Sequence, residues 1–304
     1  MIEAPAAIAV ALLLDRLLGE PPDRVHPTVL MGKTAKLLMN RLPHTPAGGI
    51  ALAVLTVLPF SAAAYAAVLL TPGVAKLLTA GGLLMASISW RGLRDYTHRV
   101  SRPLGEGDLE TARRELKYLV SRNPERLERR EICSACVESV AENSVDAVAS
   151  PLLYFAIFSA AGLEPAAAAA VAYRCINTLD AMVGYPGFGS FGAPSARLDD
   201  LLNFLPSRLM VPFLLLSLKI NRLSVKSAVH ALCRFRRATK SPNAGIPMSI
   251  MAGGLGVRLI KPGHYTLGNS PQLPLPRDIE RALKVVDVAL LLYSGTILFF
   301  LAVV

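Results

Sequence analysis

Uncharged and nearly uncharged stretches dominate the chain, separated by short polar clusters rich in Pro and Gly. Residues 48–70 carry no charge, and residues 145–163 carry only Asp146. Residues 73–93 are apolar apart from Lys76 and the near-terminal Arg91, and residues 283–304 are apolar apart from Lys284 and Asp287 at their start. Residues 4–18 and 166–183 are shorter or more polar segments of the same kind. A helix needs about 20 residues to cross the hydrocarbon core, and these six segments are the expected spans. Ala and Leu prevail and no period-two alternation is present, so the spans are helices rather than strands. A helix also satisfies its own backbone in lipid. Thr71-Pro72 and Glu164-Pro165 close two hairpins. Residues 209–218 are apolar but only about half a span in length, which predicts a re-entrant or interfacial helix that does not cross. The start of the chain has no basic stretch and contains Asp15, so it reads as retained rather than as a secretory leader. The predicted fold class is an all-α, multi-pass transmembrane helical bundle with cytoplasmic loops and one membrane-dipping segment. It forms a single integral membrane domain over residues 1–304.

Composition agrees with a lipid bilayer as the main partner. Of 304 residues, 53% are hydrophobic and 18% charged, against about 25% charged in ordinary soluble domains. The net charge of +10 lies in loops beside the spans, with no aromatic platforms between the cations, and this excludes a nucleic-acid partner. The Arg-rich stretch after residue 91 marks the cytoplasmic face by the positive-inside rule. Loops 16–47, 91–144, 184–207 and 219–282 are expected there, in the cell (cytoplasmic) membrane. Cys133 and Cys136 form one CxxC, but no second ligand pair exists for zinc, and they read as small helix residues.

Chemistry enters at the span ends. Glu138, Glu142 and Asp146 recur every four residues, which places three carboxylates on one helical stripe running into an apolar segment. Their repulsion and burial cost call for a cation, with the amide of Asn143 beside them; the alternative is a solvated helix start favoured by the macrodipole. Arg174, Asn177 and Asp180 interrupt a span, and such residues usually face a polar cavity; a structural Arg–Asp pair is the alternative. Arg197, Asp199, Asp200 and Arg208 combine carboxylates suited to Mg²⁺ with arginines suited to phosphate or carboxylate. One of the two aspartates alternatively caps a helix. Ser241, Asn243 and Gly245 belong to a compact turn after a basic stretch, and His26 precedes a proline near Asp15 and Glu20.

In order along the chain, Gly19-Glu20-Pro21 with His26-Pro27, Glu138-Ser139-Val140-Ala141-Glu142-Asn143, Asn177-Thr178-Leu179-Asp180 through Tyr185, Ala196-Arg197-Leu198-Asp199-Asp200 and Ser241-Pro242-Asn243-Ala244-Gly245 resemble the adenosylcobinamide-phosphate synthase family of cobalamin biosynthesis. Asp146-Ala147 stands where that family often has Asp-Gly, and Ile246 where an aromatic is common. The resemblance implies an amide-forming carbon–nitrogen ligase. Its corrinoid substrate, adenosylcobyric acid, is joined at a propionate to an amino-alcohol phosphate, giving adenosylcobinamide phosphate. ATP and Mg²⁺ are the implied cofactors, and other cobalamin-biosynthesis enzymes the implied protein partners. On that reading Glu138, Glu142, Asp146 and Asp199 are the Mg²⁺ candidates, and His26 and Asp200 join them as catalytic residues. Asn143, Arg174, Asn177, Asp180, Tyr185, Arg197, Arg208, Ser241, Asn243 and Gly245 bind substrate. Two other classes compete: a transporter whose path is lined by Arg174 and Asp180, and a non-catalytic scaffold for corrinoid enzymes.

Overall fold

The computed structural model describes residues 3–22 and 26–303, the side chain of Pro186 excepted. Its helices in chain order are α1 (Glu3–Leu18), α2 (Pro27–Met39), α3 (Pro46–Leu69), α4 (Gly73–Met85), α5 (Trp90–Glu106), α6 (Leu109–Leu116), α7 (Arg129–Ser144), α8 (Ser150–Phe158), α9 (Leu163–Val183), α10 (Gly189–Ile220), α11 (Val225–Phe235), α12 (Gly245–Leu255) and α13 (Pro276–Val303). A π-helical turn, Val145–Ala149, joins α7 to α8. Strands β1 (Leu259–Lys261) and β2 (Tyr265–Leu267) pair antiparallel, with Ile260 opposite Thr266. Local chemistry sets many of the boundaries. Thr45 caps α3 by accepting from the Gly48 amide at 3.2 Å, with Pro46 in the first turn, where a missing N–H costs nothing. Glu128 and Glu131 form a reciprocal capping box at the start of α7.

Among the described residues, five helical runs are long and apolar enough to cross a membrane: Pro46–Leu69, Gly73–Glu106, Arg129–Ala161, Gly189–Ile220 and Pro276–Val303. The protein is a multi-pass transmembrane helical bundle. The segments expected at 48–70, 73–93, 145–163 and 283–304 overlap these runs, the first ending one residue and the third two residues beyond its run, with Val304 outside the described residues. Segments 4–18 and 166–183 are helical as α1 and α9 but are not among the five. The half-span length expected at 209–218 needs correction. That segment is not an isolated short helix but the C-terminal part of the 32-residue α10. The polar residues before it hid the continuity, because they lie on the inner side of the helix. Ser195, Asp199, Asn203 and Ser207, four residues apart, are buried, while Leu201, Phe204 and Leu205 are exposed. The helix is inverted relative to one in water, as an apolar solvent requires. The expected loops contain the helices α2, α5, α6, α11 and α12.

The chain divides into two compact units. The first comprises Met1–Arg91, Asp146–Asn203 and Ser294–Val304; the second comprises Gly92–Val145 and Phe204–Tyr293. In the first, α3, α4 and α8 pack on α9 and α1 packs on α4. Its core gathers Leu52, Leu179, Val183 and Phe191 in one cluster, and Met31, Ala64 and Cys175 in another. In the second, α11 packs on α12, and α7 meets both α12 and β1.

Candidate functional site

In the first unit the polar groups converge on a break in one helix and a bulge in another. The helix ending at Met85 resumes at Trp90, and the intervening Ser89 amide donates to the Ala147 carbonyl at 2.9 Å. Ala147 lies in the π-turn, whose wider ladder frees carbonyls for other donors. The Ser89 hydroxyl donates to the Glu20 carboxylate. One turn away, the buried Asp15 carboxylate accepts from the Arg91 amide at 3.0 Å, at the start of α5, where an anion suits the helix dipole. Irregular backbone in a membrane protein needs such internal partners.

Asp199 sits beside this break within the same unit. Its two oxygens accept from Asn177 at 3.2 Å and from Asn203 at 2.9 Å. The Asn203 amide oxygen accepts in turn from Ser150 at 2.6 Å. The Tyr173 hydroxyl lies 2.8 Å from that same oxygen and 3.1 Å from the Asp146 carbonyl, so its single proton serves either acceptor. A carboxylate has about four lone-pair positions, so two amide donors leave Asp199 capacity for a cation. Arg174 points a guanidinium nitrogen at Asn177 at 3.4 Å, but its Nε is buried without a hydrogen-bond partner. The fully buried Ser195 hydroxyl is also unpartnered. An orphaned buried donor costs about 1–3 kcal/mol, and an arginine in this state is suited to an anionic ligand. Gly184 permits the approach of Asp180: a Cβ there would lie 1.9 Å from the aspartate oxygen.

Other expected residues are placed as follows. His26 is the N-cap of α2, its Nδ1 accepting from the Thr28 amide at 3.2 Å. Tyr185 and Arg197 are exposed, and Asp200 is half-buried where Asp199 is buried. The acidic stripe does not survive as a continuous α-helical face. The π-turn ends the α-helical register just before Asp146, and Glu138 and Glu142 belong to the second unit whereas Asp146 belongs to the first. Among the described residues, no three His, Cys, Asp or Glu side chains gather as a metal cage. A magnesium ion at Asp199 or Asp146 would therefore take most of its ligands from phosphate oxygens and water, as this ion usually does.

In the second unit, Glu138 is buried and fully engaged. Arg122 approaches it at 3.0 Å, Ser134 donates at 2.8 Å and the Tyr265 phenol donates at 2.9 Å. Burial pushes the Tyr265 phenol above the ordinary tyrosine range, and the Glu138 carboxylate beside it adds to this, so the phenol stays protonated and donates. Ser134 also bonds the Ile260 backbone on β1, accepting from its amide at 2.7 Å. The set latches the hairpin onto α7. Asn143 donates to the Ser139 carbonyl at 2.9 Å, one turn back on the same helix. Arg208 donates to Asn243 at 3.0 Å and lies over the Phe204 ring at 3.5 Å, while the Asn243 amide donates to the Ser241 hydroxyl at 3.3 Å. Gly245 lets the turn close on itself, for a Cβ would meet the Arg236 carbonyl at 2.4 Å.

The structure thus brings together Arg174, Asn177 and Asp199 in one unit, and Arg208, Ser241 and Asn243 in the other. Sequence reasoning did not join Glu20, Tyr173 and Asn203 to the first network, and it missed Ser89 and Ser150 there and Arg122 and Tyr265 as partners of Glu138. Tyr173 had a signal, being next to an arginine that interrupts an apolar segment. Arg122 had none, since nothing local pairs a loop arginine with a particular buried acid.

Comparison with known proteins follows the same outline. The family model described as CobD/Cbib protein matches residues 8–290. The cobalamin biosynthesis protein CobD of Geobacter metallireducens is 39% identical over 270 residues, 85% of this chain and 82% of its own. The protein of that name from Dehalococcoides mccartyi is 34% identical over 289 residues, 92% of each chain. No solved structure matches this one. Residues 8–290 take in both polar networks and every motif that positions them, and the chain belongs to the CobD/Cbib protein family.

Proposed function

We propose that this protein is an adenosylcobinamide-phosphate synthase of cobalamin biosynthesis, an ATP-dependent ligase joining an amino-alcohol phosphate to the propionate of adenosylcobyric acid. Family membership supports the pathway. The observation that carries the chemistry is the buried, unpartnered Nε of Arg174 beside Asn177 and the Asp199 carboxylate. In the proposed reaction the propionate oxygen attacks the terminal phosphorus of ATP and ADP leaves. The amine then attacks the acyl carbon and phosphate leaves, while the amine proton passes to a nearby base. Arg174 grips the propionate or the phosphate, offering two parallel donors. Asp199, held in place by Asn177 and Asn203, would be the protein ligand for a magnesium ion. Bound magnesium would neutralise charge on the transferring phosphoryl group. Positioning and charge neutralisation account for most catalysis of phosphoryl transfer. We place this site at the cytoplasmic face of the cell membrane, where ATP is available.

A transporter reading is favoured by one observation, the interrupted helices at Ser89 and at Val145–Ala149, since broken helices recur in transporters. One experiment separates the readings. Purified protein in detergent is mixed with adenosylcobyric acid, an amino-alcohol phosphate, ATP and Mg²⁺, and products are read by mass. Adenosylcobinamide phosphate forming together with ADP is expected. Absence of both, with corrinoid uptake into protein-loaded vesicles, would replace the ligase with the transporter.

A further inference from the structure

A second cationic cavity lies away from both networks, within the second unit. It has a volume of about 680 Å³ and is lined by α11, by the end of α12 and by the turn after β2. That volume lies in the range of about 300–1,000 Å³ typical of small-ligand sites. Lys226, His230 and Arg234 line it at successive intervals of four along α11, so they share one face. The opposite face carries the buried Ala228 and Ala231. Among the described residues no acidic one lines the cavity, and none of these three side chains is in an ion pair. Long polar side chains one turn apart on an exposed face ordinarily splay into water. Here Asn269, across the cavity, bridges two of them. Its amide nitrogen is 2.7 Å from His230 Nδ1, and its oxygen accepts from Arg234 at 3.3 Å. Because Nδ1 faces an amide donor, the neutral ring carries its proton on Nε2 and presents it as a donor. The cavity therefore offers an ammonium, an imidazole N–H and the remaining guanidinium N–H groups, with the Ser270 side chain beside them. That donor set suits an acceptor with several anionic oxygens, and arginine suits such a group bidentately.

We propose that this cavity binds a phosphate-bearing ligand carrying at least two negative charges, through Lys226, His230 and Arg234, with Asn269 as the residue that positions them. The inference is independent of the proposed ligase reaction. Such a group comes either from a soluble phosphate ester or from an anionic lipid headgroup, and the test has an arm for each. Cys233, exposed on α11 beside Arg234, takes an environment-sensitive fluorophore that reports locally, since the other three cysteines are buried. The labelled, intact protein in detergent is titrated with inorganic pyrophosphate; the same protein in nanodiscs is compared in phosphatidylcholine and in phosphatidylglycerol. A saturable change in either arm is expected. It should weaken at least tenfold in Lys226→Ala/Arg234→Ala and severalfold in Asn269→Leu, and should persist in Arg234→Lys with reduced affinity. Response to pyrophosphate alone identifies a soluble ligand, and response to phosphatidylglycerol alone identifies a lipid. No response in either arm overturns the proposal, and so does a response unchanged in the double variant. These side chains are exposed, and unchanged elution on gel filtration separates lost binding from lost folding.

Discussion

Asp199 and Asp200 are adjacent, yet they meet different surroundings. Asp199 is buried and holds two amides, whereas Asp200 is half-buried one residue further round α10. Asp199→Asn should therefore raise the Mg²⁺ concentration needed for half-maximal ligation, while Asp200→Asn should chiefly weaken the phosphate substrate. Steady-state titrations of metal and substrate check this, and equal Mg²⁺ dependence in both variants would remove the distinction. Arg174→Lys keeps the charge but not the fork, and at least a tenfold loss in kcat/KM is expected. Glu138 is held by Arg122, Ser134 and Tyr265, so their loss is read in stability. Removing Arg122 leaves a buried carboxylate uncompensated, which costs about 3–5 kcal/mol. Tyr265→Phe removes one neutral donor and should cost about 1–3 kcal/mol. Thermal unfolding in detergent reads both, and Arg122→Met together with Glu138→Leu should recover much of the loss. A double variant no more stable than Arg122→Met would count against the latch.

At the scale of elements, α10 poses the sharpest contest between two forces. Its length and apolar outer face permit it to cross the membrane. The basic stretch 219–240 that follows it is expected to stay on the cytoplasmic side, which favours a helix lying in or along the membrane. The native exposed Cys233 reports the side directly. It should be alkylated by an impermeant reagent in inside-out vesicles and protected in right-side-out ones. The reverse pattern would make α10 a span. A charge on the outer face offers a second check. Leu201 is 69% exposed, so if its face meets lipid, Leu201→Lys should cost about 2.5–3.5 kcal/mol of insertion at mid-bilayer depth and less near the interface. A glycosylation-based insertion assay reads this, and Arg197→Lys, already charged and exposed, is the control.

Across the whole molecule, apolar length alone was enough to read the chain as helical and membrane-embedded. Uninterrupted apolar length reports the solvent around a helix directly, and no long-range information is needed. The ordered motifs carried the family for the same reason, since each is local. Which polar residues meet was decided by tertiary structure alone. Arg174, Asn177 and Asp199 are joined because α9 and α10 present polar faces within one unit, while Glu138 is closed off by Arg122 and Tyr265, remote in sequence. The continuity of α10 was equally hidden, because a polar stripe spaced by four interrupts an apolar run in the sequence without interrupting the helix. In water such residues point outward; in lipid they point inward. Periodicity records that a face exists, and only packing shows which solvent it has left.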